Sequence, residues 1–152
     1  MKPMPQILHT LQRLKWRILR PVTIGSRVLM EKDGRVVLVK HTYDELWYLP
    51  GGGVERKETL EEAVRREAME EVGAELGQLR LLGAYTSFGE YKSDHVLVFV
   101  CHDFTLTGET DREIARFGFF DLESLPKDTS AATRRRIHEY RTGSPAPNLG
   151  MW

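Results

Sequence analysis

The stretch PGGGVERKETLEEAVRREAMEEVGA, residues 50–74, joins a glycine run to an acidic helical segment. Thr59 stands where an N-cap belongs, Glu62 follows three residues later as in a capping box, and Gly73 falls where a helix ends. On a helical wheel Leu60, Val64, Ala68 and Val72 form one apolar stripe. Glu67, Glu70 and Glu71 lie beside that stripe, spaced i, i+3 and i+4. Like charges at that spacing cost a few tenths of a kcal/mol per pair. Carboxylates at the edge of a core cost more unless they are paired or bind a cation. Three of them together make a hard oxygen site, suited to Mg²⁺, with Mn²⁺ as a substitute, rather than to zinc or copper. The preceding Gly51, Gly52 and Gly53 let the backbone approach a metal or a phosphate closely.

Joined together, these residues satisfy one long spaced pattern. Gly52, five residues, Glu58, seven residues, then Arg66-Glu67-Ala68-Met69-Glu70-Glu71-Val72-Gly73 resembles the Nudix box, the signature of the Nudix hydrolases. Seven residues match in place: Gly52, Glu58, Arg66, Glu67, Glu70, Glu71 and Gly73. Chance gives this on the order of 10⁻⁸ per starting position. Ala68, Ala74 and Lys57 depart from the usual pattern, and none of them is a carboxylate. The flanks "GRVVLVKHTYDELWYLPGGGVE" and "FGFFDLESLP" are also similar to the family, so the resemblance spans residues 22–126.

The resemblance implies the Nudix fold, an α/β/α sandwich with a mixed β-sheet. It also implies Mg²⁺-dependent hydrolysis of the diphosphate linkage in a nucleoside diphosphate derivative. Glu67, Glu70 and Glu71 would be metal ligands, aided by a backbone carbonyl at Gly51 or Gly52, with Glu67 a ligand or the general base. Arg66 would orient the carboxylates, and Glu58 would anchor the loop to Arg66. A further carboxylate from a later loop would be Glu113 or Glu109.

Residues that could touch substrate are Gly52 and Gly53 in the loop, Arg27 and His41 for phosphates, and Tyr43, Trp47 and Phe88 for stacking on a base. Each has a plainer reading as core or rim packing, and His95 reads as a hydrogen-bonded structural histidine. The proline that marks ADP-ribose hydrolases beyond the box is absent, since Gly89-Glu90 stands there, while Tyr91 falls near the tyrosine of dinucleoside polyphosphate hydrolases. Two alternatives stay open. One is an oxidised nucleoside triphosphate pyrophosphatase of the same fold. The other is a non-catalytic nucleotide-sensing module, against which the intact glutamates stand.

At 152 residues, with 41% hydrophobic and 29% charged residues, the chain is expected to hold one folded domain. One cysteine, Cys101, excludes a disulfide framework and reads as a buried small hydrophobe. No leader and no membrane-length apolar run is visible, so a cytoplasmic location is expected. The formal charge is zero, but residues 1–30 carry six basic side chains and no acid, leaving −6 on the remainder. Nucleic acid is therefore not an expected partner, and Arg134, Arg135 and Arg136 are put down to the helix dipole and solvent. A homodimer is an expectation from the family alone.

The domain plan is a basic amphipathic helix over 1–21, the hydrolase domain over 22–142 and an irregular tail over 143–152. In the helix, Ile7, Leu11, Leu14 and Ile18 share one face. That face is expected to dock on the body or on a second subunit, with an anionic membrane surface as the alternative. "VTIGSRVLME" and "RVVLVKHT" flank a "KDG" turn and read as a hairpin. "LRLLGAYTSF", "HVLVFVCHDF" and "FGFFDL" read as later strands, and "SAATRRRIHEYRTG" as a closing helix.

Overall fold

Strand pairing follows from the hairpin at the front of the domain. In a computed structural model of the chain, residues 4–143 and 146–152 are described, residues 4–10 by their backbone alone. Lys2 and the side chain of Ile7 thus lie outside the described residues. Strand β1 (Val22–Lys32) turns through Asp33 and Gly34 into β2 (Arg35–His41), with Lys32 opposite Arg35. Next come the short strands β3 (Trp47–Tyr48) and β4 (Gly51–Gly53), and helix α2 (Leu60–Val72). Beyond α2 run β5 (Ala74–Leu76), β6 (Arg80–Ser87), β7 (Ser93–Cys101), β8 (Phe104–Leu106) and β9 (Ile114–Asp121). Helix α3 (Ala131–Thr142) and strand β10 (Asn148–Met151) close the domain.

The sheet is mixed, in the order β10-β6-β7-β1-β2-β3, with β4 paired to β1 and β9 to β2. β1 and β7 are parallel and lie at the centre. The pleat sends alternate residues of β2 to opposite faces. Val37 and Val39 pack with Val64, Ala68 and Val72 of α2, while Val36 and Leu38 pack with Ile137 of α3. This is the expected helix–sheet–helix sandwich.

The structure departs from the sequence reading in three places. The C-terminal tail is not irregular. Asn148–Met151 adds a parallel strand to β6, and the Trp152 N–H donates to the Thr86 carbonyl at 2.9 Å. Two of the three arginines of α3 fasten this end of the chain, and the third ties the helix to the loop before it. Arg136 is 2% exposed, stacks 3.7 Å from the Tyr85 ring centroid and donates to the Met151 carbonyl. Arg135 donates to the Trp152 carbonyl, and Arg134 to those of Pro126 and Thr129.

The third departure is α1 (Met4–Leu19), which stops before Pro21 as expected. Its apolar face is not docked on the body: Leu11, Leu14 and Ile18 are 59%, 57% and 76% exposed. Trp16, on the opposite side of the helix at 100° per residue, meets the body through Lys92 at 4.4 Å from its ring centroid, and Arg17 beside it lies 5.8 Å from the Tyr91 ring centroid.

Candidate active site

Helix α2 forms where its local signals place it. The Thr59 hydroxyl accepts from the Glu62 N–H, the Glu62 carboxylate accepts from the Thr59 N–H, and Gly73 closes the helix at φ +63°. Its carboxylates sit at graded depths. Glu71 is 4% exposed, the Glu67 side chain is largely covered, and that of Glu70 is half exposed.

Glu71 Oε2 accepts from the Gly51 N–H at 2.9 Å, so the glycine strand β4 and the helix meet at this carboxyl. Burial pushes the Glu71 carboxyl up to about 8, against the pull of Arg27 and the Gly51 N–H. Glu67 is also raised, first by burial, with Arg66 drawing it back. A β-carbon on Gly52 would come 2.6 Å from the Glu67 carboxylate, so only glycine admits that side chain so close to the loop.

Arg66 is the hub. It donates to both Glu58 oxygens at 2.7 and 3.1 Å, to Glu67 Oε1 at 2.7 Å, to Glu70 Oε2 at 3.4 Å and to the Gly53 carbonyl at 3.1 Å. These bonds raise the arginine's pKa further and hold Glu58 below its ordinary value. Glu58 thereby ties the loop to the helix through one guanidinium.

The remaining residues named from the sequence divide. Arg27 donates to the Leu49 carbonyl at 2.7 Å, and its charge reaches Glu71, Glu67 and His41. His41 stacks on Tyr43 with ring centroids 5.1 Å apart, and its Nε2 lies 3.9 Å from Glu71 Oε1. That distance is too long for a hydrogen bond. Burial lowers His41 and raises Glu71, so it disfavours the charged form of each partner. Tyr43 is pushed up to about 12, by burial and then by the Glu113 charge, which puts Glu113 on the same side of the site.

Trp47 is a correction: it is 8% exposed and packed against Phe120 in the core, where it offers no face to a base. Phe88 is exposed at the surface, and His95 bonds Thr86 on the neighbouring strand. Cys101 is wholly buried, as read. The sequence reading missed Asp111. Its N–H donates to the Glu70 carbonyl at 3.0 Å, and its charge acts on both His41 and Glu71. Its position between Glu109 and Glu113 was the only hint.

Among the described residues, no three His, Cys, Asp or Glu side chains stand close enough together to enclose an ion. Glu67 and Glu70 turn to Arg66, whereas Glu71 turns to Gly51. The donor chemistry nevertheless fits a hard divalent cation. It consists of carboxylate oxygens, one of them on a buried side chain whose pKa burial raises against the pull of Arg27.

The comparisons agree with this geometry. The family model described as NUDIX domain matches residues 19–140. Over 118 residues the chain is 35% identical to an ADP-ribose pyrophosphatase of Methanocaldococcus jannaschii, covering 74% of this chain and 70% of that protein. It is 37% identical over 71 residues to an RNA pyrophosphohydrolase of Pseudomonas paraeruginosa, spanning 47% of this chain and less than half, 45%, of that one. The crystal structure of a MutT NUDIX hydrolase from Burkholderia pseudomallei superposes with a TM-score of 0.70 at 28% identity, over 78% of this chain and 97% of that one. The chain belongs to the Nudix hydrolase family, and with it to the pyrophosphohydrolases.

Proposed function

We propose that the protein is a Mg²⁺-dependent hydrolase of a small nucleoside diphosphate derivative, with Mn²⁺ as a substitute ion. The observation that carries this reading is the buried Glu71 carboxyl, bonded to the Gly51 N–H of the glycine loop. Glu71, Glu70 and Glu67 would hold the ion. When bound, such an ion neutralises phosphoryl oxygens and lowers the pKa of a coordinated water. Glu71 would bind it as a carboxylate, the form that burial disfavours while no cation is there.

Arg66 keeps Glu67 and Glu70 oriented and, being occupied by five contacts, is not a substrate ligand. The Gly52–Gly53 backbone, with Arg27 behind it, forms a wall open to phosphate. His41 stands 3.9 Å from the Glu71 carboxyl, the Asp111 charge acts on that carboxyl, and Tyr43 feels the charges of both Glu71 and Glu113.

The test is turnover on dinucleotides, nucleotide sugars and nucleoside triphosphates, with and without Mg²⁺, for wild type and Glu71→Gln. The expected result is metal-dependent hydrolysis that falls ~10²-fold or more in the variant. Turnover unaffected by Glu71→Gln or by removing metal would overturn the assignment. Absence of turnover on every compound would favour the nucleotide-sensing module instead.

Likeness to the RNA pyrophosphohydrolases supports a second reading, action at the phosphorylated end of RNA. That reading requires binding that weakens steeply with salt. An affinity for triphosphate-ended RNA that stayed flat with salt would remove it.

A further inference from the structure

The loop wall of the site continues into a cleft of about 740 Å³ that runs away from the carboxylates toward α1. That size suits a whole nucleotide rather than a phosphate alone. One end holds Gly52, Gly53 and Arg27, beside Glu67. The other end brings together Trp16 of α1, Lys92 just before β7, and Asp94 within it. Trp16 is the least exposed side chain of residues 11–20, and with Arg17, which lies over the Tyr91 ring, it joins the helix to the domain.

The three side chains form a connected set. Lys92 Nζ lies 4.4 Å from the Trp16 ring centroid and 3.6 Å from Asp94 Oδ2. Asp94 Oδ1 accepts from the Thr23 hydroxyl at 2.7 Å, which fixes the carboxylate in the cleft wall. An aromatic plane is a sequence-tolerant stacking surface for a base. A fixed carboxylate accepts from ribose hydroxyls or base amino groups. A base entering over Trp16 displaces the flexible lysine toward Asp94, whose carboxylate is already beside it.

We propose that this end of the cleft is the subsite for the nucleoside half of the substrate, with Trp16 as the stacking surface and Asp94 as the acceptor. The N-terminal helix is then a specificity element and not an appendage. The inference rests on the proposed nucleotide hydrolase, and deepens it by assigning the non-reacting half of the substrate to named residues.

The test uses the full chain with Mg²⁺ and two non-hydrolysable probes. One is the α,β-methylene analogue of ADP or GDP, and the other is methylenediphosphonate, which has the phosphonates but no nucleoside. The expected result is that Trp16→Ala weakens binding of the nucleotide analogue roughly 5- to 100-fold, leaves methylenediphosphonate binding unchanged, and is rescued in large part by Trp16→Phe. Equal weakening of both probes, no weakening of either, or no binding of the nucleotide analogue to wild type would overturn the subsite. A thermal melt of Trp16→Ala separates loss of the fold from loss of the contact. Failure of the hydrolase reading shows separately, as nucleotide binding through Trp16 without metal-dependent turnover.

Discussion

The two helices at either end of the cleft carry the same kind of apolar periodicity and meet opposite fates. In α2 the stripe of Val64, Ala68 and Val72 is wholly buried against β1 and β2, and both helix ends are capped. In α1 the stripe of Leu11, Leu14 and Ile18 faces outward, and the helix meets the domain through Trp16 on its other side. Periodicity reports that a helix forms, because it describes one face of one element. It does not report which face finds a partner, because that depends on residues far away in the chain. The carboxylates of α2 gain their chemistry from burial against the glycine strand, whereas the basic residues of α1 stay at the surface.

The sharpest way to break this comparison is at Gly73. Its backbone is left-handed at φ +63°, and a β-carbon there would run into the Thr107 hydroxyl. Gly73→Ala combines a strained backbone with overpacking, each costing about 1–3 kcal/mol. A loss of roughly 2–6 kcal/mol in urea unfolding is expected. A change under about 0.5 kcal/mol would mean that the end of α2 tolerates other closures and is as loosely fixed as α1.

Thr59→Ala tests the other end of α2. It removes the hydroxyl that accepts from the Glu62 N–H and should cost about 1 kcal/mol. Activity should fall little, since the cap lies a full turn and more from Glu67. A collapse of metal-dependent turnover at unchanged stability would show instead that the cap positions the carboxylates.

What could be read from the sequence follows the same division. Thr59, Glu62 and Gly73 are local signals, and α2 forms between them as expected. The glutamate spacing located the site because helical geometry fixes neighbours three and four residues apart. It could not separate buried Glu71 from exposed Glu70, because that difference comes from the Gly51 N–H arriving from β4. Strand β10 was not legible, since "SPAPNLGMW" has no alternation of its own and is a strand only against β6, held there by Arg135 and Arg136. The stacking role read for Trp47 was misplaced for that reason. The tryptophan beside the glycine loop packs into the core, and the one in the outlying helix lines the cleft.

The smallest effect expected is at Leu14. Its side chain is 57% exposed, so Leu14→Ala removes little buried surface and should shift stability by less than ~0.5 kcal/mol. A leucine truncated in a core loses about 2–5 kcal/mol, so the two outcomes are well separated. The measurement is urea unfolding at two protein concentrations at least tenfold apart. A small, concentration-independent shift leaves α1 as a helix anchored through Trp16 and Arg17 with its apolar stripe uncovered. A larger loss that grows with protein concentration would mean that a second copy covers the stripe in solution, since association stabilises by mass action. The apolar periodicity of α1 would then have the same cause as that of α2, with the partner face supplied by another chain.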